Sequence, residues 1–126
     1  MTQVIDASAL LAWLHDEPGG EQVARSLEGS LISSVNWSET VQKALRRGVD
    51  VDGMQGEVIE MGLGIEPFTA RQAELAALLW PSTRHLGLSL ADRACLALAM
   101  DKLAAVLTAD RAWLELKMGL DIRCIR

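Results

Sequence analysis

The sequence predicts an α/β fold, a mostly parallel central sheet of four to five strands flanked by helices. Three observations predict it. Short apolar runs recur along the chain as "QVID", "SLISS", "AVLT" and "IRCI". Segments of helical periodicity separate them, and strands alternating with helices build a parallel sheet covered on both faces. The chain has 126 residues, one domain's length, and can bury roughly two thirds of the surface it exposes unfolded.

Taken in order, "QVID" is a strand and "ASALLAWLHDE" a helix stopped by "PGG". A second helix runs from about Glu21 to Leu27, and "SLISS" is the next strand. In "NWSETVQKALRR" Asn36 is the expected N-cap, with Glu39 three residues on as in a capping box, and Gly48 ends the helix. Val51 to Met61 form a weaker helix, because Gly53 and Gly56 each cost up to ~1 kcal/mol against alanine. "GIEPF" is a short strand or sheet edge. Thr69 caps "ARQAELAALLW", which Pro81 stops. Ser89 caps the clearest helix, "SLADRACLALAMDKLA"; "AVLT" is a buried strand, "DRAWLELK" a short helix ended by Gly119, and "IRCI" the last strand. There is no repeat, low-complexity tract or linker, so residues 1–126 read as one domain.

Half the residues are hydrophobic, which excludes disorder. No apolar stretch approaches the ~20 residues of a membrane span, and the start has no secretory pattern. Cys95 and Cys124 have no zinc-like spacing to each other or to His15 and His85, so they read as reduced thiols of a cytoplasmic protein. The net charge of −5 argues against a protein that coats nucleic acid. It permits a metal-dependent enzyme whose acids gather at one place.

Two apolar runs end on an aspartate, "VID" at Asp6 and "VLTAD" at Asp110. In an open parallel sheet, functional groups gather outside the carboxyl ends of the strands. Asp92, three residues past the Ser89 cap, and Glu39, in its helix's expected first turn, belong at the same edge. Each alone is explained by capping and by the helix dipole, worth ~0.3–1 kcal/mol. Four together repel unless a cation neutralises them. No lysine stands in these motifs, whereas Mg²⁺ or Mn²⁺ takes oxygen ligands and needs only one or two carboxylates directly.

The motifs "VIDASALLA", "SVNWSETV", "LSLADRACLALA" and "VLTADRAWL", in this order over nearly the whole chain, resemble the PIN-domain ribonucleases. They look most like the VapC toxins of toxin–antitoxin pairs. The resemblance implies a single PIN-like domain and a metal-dependent endoribonuclease leaving a 5′-phosphate and a 3′-hydroxyl. It matches Asp6, Glu39, Asp92 and Asp110 to the acidic quartet, with Asp6, Asp92 and Asp110 on the metal. Ser8 and Thr108 match the small hydroxyl positions beside it. It also implies an RNA substrate, a VapB-like antitoxin and a homodimer.

An acidic enzyme must still grip RNA. Lys43, Arg46 and Arg47 follow Glu39 at i+4, i+7 and i+8 on one helix face, and Arg93 and Arg111 each follow a quartet aspartate. These five form a candidate basic rim, although Glu39–Lys43 is also an ordinary helical ion pair. Trp13 and Trp37 are either core packing or the lining of a groove for a partner helix. "DVDG" lacks the later acids of a calcium loop. A phosphoryl-transfer domain would need lysine where "VLTAD" has threonine and aspartate. A non-catalytic PIN-fold module or a PIN nuclease of RNA processing are the remaining alternatives, the former favoured by a missing quartet acid; none is missing.

Overall fold

A computed structural model describes residues 2–126. Five short strands, β1 (Gln3–Ile5), β2 (Leu31–Ser33), β3 (Gly64–Glu66), β4 (Ala105–Thr108) and β5 (Ile122–Cys124), form one sheet. Their order is β3-β2-β1-β4-β5 and every pairing is parallel. The helices are α1 (Ala7–Leu14), α2 (Gly20–Ser26), α3 (Ser34–Arg46), α4 (Met54–Glu60), α5 (Ala70–Leu78), α6 (Trp80–Thr83) and α7 (Leu90–Lys102). Short 3₁₀ turns cover Arg84–Leu86 and Arg111–Glu115.

The period-2 alternation of strand side chains divides the core into two layers. Ile5, Ile32 and Leu107 pack with Leu10, Val23, Trp37 and Val58 on one face. Val4 and Val106 pack with Cys95, Leu96, Leu98 and Trp113 on the other. Both faces are covered, which is why the strands are apolar on consecutive residues. Between α1 and α2 the chain turns through Gly19, at φ +90, and a Cβ on Gly20 would strike the Ala12 carbonyl. Only glycine lets these two helices approach so closely.

Three local expectations need correction. Asn36 is not the N-cap of α3: Ser33 ends β2 in extended backbone, and its hydroxyl accepts from Val35 N at 3.2 Å. The helix therefore starts earlier and Glu39 lies in its second turn, with no capping box. Pro81 does not end helical structure; α5 stops at Leu78 and Pro81 opens α6, where its missing N–H costs nothing. "DRAWLELK" forms a 3₁₀ turn over Arg111–Glu115 rather than an α-helix. Trp37 is also buried in the core, so it lines no groove, while Trp13 is only partly buried against the same layer.

Candidate active site

From β1 the chain proceeds to β2 and β3 on one side, then returns to β4 on the other side of β1. The crevice at the carboxyl ends of β1 and β4 is thus the point where strand order reverses, the usual ligand site of such sheets. Asp6 leaves β1 directly into it. Its carboxylate caps α1, accepting from Ala9 N at 2.9 Å. Ser8 Oγ donates to it, 2.7 Å from Oδ1, and Thr108 Oγ1 donates to Oδ2 at 2.7 Å. Asp6 is 4% exposed, and burial pushes its carboxyl up to about 6. The three hydrogen bonds hold that rise down, and the charge of Asp92 adds to it.

Asp92 is the hub of the acids. It stands at the third position of α7, where Ser89 Oγ accepts from Asp92 N and Asp92 Oδ2 accepts from Ser89 N at 2.9 Å. Partial burial raises its carboxyl above the ordinary range, the Ser89 bonds oppose this, and Glu39 and Asp110 push it further up. Asp110 sits beyond β4: its N–H donates to Thr108 Oγ1, and its Oδ1 accepts from Ala112 N. Beneath them the Cys95 thiol is fully buried and held well above its ordinary value by burial and by Asp6, Asp92 and Glu39. It is an inert core thiol.

A family model described as the PIN domain matches residues 4–117. The chain belongs to the PIN-domain family. The PIN fold of this chain superposes on a toxin–antitoxin complex from Klebsiella pneumoniae with a TM-score of 0.74, at 16% identity over 98% of both chains. It matches the DNA-bound VapBC of Salmonella typhimurium with a TM-score of 0.73, at 14% identity over 100% of this chain and 99% of that one. It matches the sarcin–ricin-loop-cleaving toxin VapC20 of Mycobacterium tuberculosis with a TM-score of 0.71, at 16% identity over 91% and 96%. No curated protein matches it significantly. No helix of this PIN domain is long and apolar enough to cross a membrane.

The PIN crevice brings Asp6, Glu39 and Asp110 each within electrostatic reach of Asp92, but each acid also has a local partner. Among the described residues, no group of three acidic, histidine or cysteine side chains is arranged to hold an ion. Asp6 is engaged by Ser8, Thr108 and Ala9, Asp92 by Ser89, and Asp110 by Ala112. Glu39 pairs with Lys43 at 3.4 Å. The convergence is looser than joint ligation by Asp6, Asp92 and Asp110, because the capping role expected of single acids operates at the same time. The donor set is nonetheless all oxygen and mutually repelling. It fits a hard divalent ion that keeps most of its waters and suits zinc poorly.

The basic rim divides. Lys43, Arg46 and Arg47 line a cleft of about 450 Å³ between α1 and α3, together with Ser8. Arg93 does not join them; its guanidinium donates to the Ala76 carbonyl in α5, on the other layer. Arg111 is exposed and donates to the carbonyl of Arg126. Four residues that the sequence does not mark for the site, Leu11, His15, Glu17 and Arg126, complete the cleft. His15 had a signal, since Ser8, Leu11 and His15 follow helical spacing on one face of α1. Arg126 had none, because only the pairing of β5 with β4 carries it there.

Proposed function

We propose that this PIN-domain protein is a Mg²⁺- or Mn²⁺-dependent endoribonuclease, the toxin of a toxin–antitoxin pair. The observation that carries the reading is the approach of Asp6, Glu39 and Asp110 to Asp92 near the strand-order reversal, where burial and neighbouring carboxylates disfavour the charged forms of Asp6 and Asp92. Asp6, Asp92 and Asp110 are the residues that would hold the metal, directly or through its waters. The chemistry such an ion would supply there is a lowered pKa for a water and an offset to charge building on the phosphate. Glu39 would orient the attacking water or complete a second metal position. Ser8 and Thr108 keep the Asp6 carboxylate aimed into the crevice. No histidine base is needed.

The likeness to toxin–antitoxin complexes supports one further part of the reading, a VapB-like antitoxin; a homodimer is proposed with it. The test is direct. Purified protein cuts RNA with Mg²⁺ or Mn²⁺ and stops when EDTA is added, and Asp6→Asn is inactive under both conditions. Cleavage indifferent to chelator refutes the metal mechanism. Sequencing RNA ends after brief expression in cells identifies the target in the same experiment.

A further inference from the structure

The cleft between α1 and α3 holds an unusual share of this protein's positive charge. The chain carries 12 lysines and arginines and a net charge of −5, and four of those cations, Lys43, Arg46, Arg47 and Arg126, line this one cavity. Concentrated cations in an otherwise acidic protein need an anionic occupant or internal neutralisation. Internal neutralisation is weak here. Glu17 reaches toward two arginines at once, Oε2 lying 3.8 Å from Arg47 Nη1 and Oε1 3.7 Å from Arg126 Nη1. Both separations exceed a hydrogen bond, and all three side chains are more than a third exposed, so these contacts contribute little to stability. Arg46 has no acidic partner within ion-pair distance among the described residues.

Two lining residues of the cleft also contact the acids: Ser8 donates to Asp6, and Lys43 pairs with Glu39. A polyanion lying in the cleft therefore runs on toward the carboxylates. A phosphate offers guanidinium groups the two-point acceptor geometry that Glu17, stretched between two arginines, does not reach.

We propose that this cleft is a subsite for an RNA backbone phosphate flanking the scissile one, and that Glu17 competes with that phosphate for Arg47 and for Arg126, whose guanidinium is steadied by a 3.0 Å hydrogen bond to the Pro18 carbonyl. This rests on the nuclease reading above, and its sign is specific: Glu17 is a competitor of the substrate, so removing its charge strengthens binding.

The test measures anisotropy of a short fluorescein-labelled single-stranded RNA in EDTA, where no cleavage intervenes, across a salt series. Arg46→Ala, Arg47→Ala and Arg126→Ala each weaken binding roughly tenfold at low salt and flatten the slope of log K against log salt by about 0.7. Glu17→Gln tightens binding about threefold or more. Arg71→Ala, on the opposite layer, leaves it unchanged. With Mg²⁺ present, the three arginine variants raise KM while kcat stays within about twofold, and Glu17→Gln lowers KM. Melting curves establish that each variant is folded. Arginine variants that bind RNA as the parent does, or a Glu17→Gln variant that binds more weakly, overturn the proposal. So does loss of a protein partner's binding with RNA affinity intact, which makes the cleft a protein interface. Binding without metal reads the subsite and cleavage with metal reads the nuclease, so the two failures are distinguishable.

Discussion

Thr108 Oγ1 donates a 2.7 Å hydrogen bond to Asp6 Oδ2 across 102 residues of sequence. The same oxygen accepts from Asp110 N at 3.1 Å. One fully buried hydroxyl thus ties two acids to the ends of two neighbouring strands. Thr108→Val keeps the shape and leaves Asp6 short of a donor in a buried setting. The expected loss is about 1–3 kcal/mol of stability with greatly reduced cleavage, while Thr108→Ser restores most of both. Denaturant melts and cleavage rates check it; a fully active Thr108→Val removes Thr108 from the site.

Asp92→Asn removes a charge that Glu39 and Asp110 oppose, yet an asparagine oxygen still accepts from Ser89 N. Cleavage falls by roughly a hundredfold or more, and the metal-free melting temperature rises because repulsion is relieved. A clear drop in that temperature means that Asp92 is chiefly a cap.

Acidification stabilises the metal-free protein. The folded-state value of Asp6, about 6, lies above the ordinary 3.8, so between these values the folded state binds the additional proton. Stability from this group is complete below the unfolded value and is lost as pH rises through about 6, a difference of roughly 3 kcal/mol. Asp101 works in the opposite sense: hydrogen bonds from Gln72 and Arg71 lower its value, and its contribution is lost as pH falls below the ordinary range. The melting temperature is therefore higher near pH 5 than at pH 7.5, and Asp6→Asn flattens that difference. A parent protein whose melting temperature is level or falls between those two conditions contradicts it.

Asn36 Nδ2 donates to the Ala91 carbonyl at 2.9 Å, fastening α3 to the first turn of α7 beside Asp92. The residue is 1% exposed and lies on the helix that carries Glu39. Asn36→Ala costs about 1–3 kcal/mol through the stranded carbonyl and the small void. It also loosens the spacing of Glu39 and Asp92, lowering kcat more than it raises KM. Unfolding curves and steady-state kinetics decide both parts.

By itself the sequence determined the alternation of strands and helices, because apolar period and capping chemistry are local properties. Ser89 and Thr69 cap α7 and α5 as read, since a hydroxyl two or three residues from an N–H needs no distant partner. The Asn36 cap failed for the same reason in reverse: a serine closer to the strand end captured the helix start, and α7 supplied Asn36 with a better partner. Tertiary structure alone decided which charges meet. Strand order set β1 beside β4, so Asp6 meets Thr108; packing turned Arg93 toward α5; pairing of β5 brought Arg126 to Arg47 and Glu17. Electrostatic partners act over ångströms in space, and their separation along the chain carries no record of that distance.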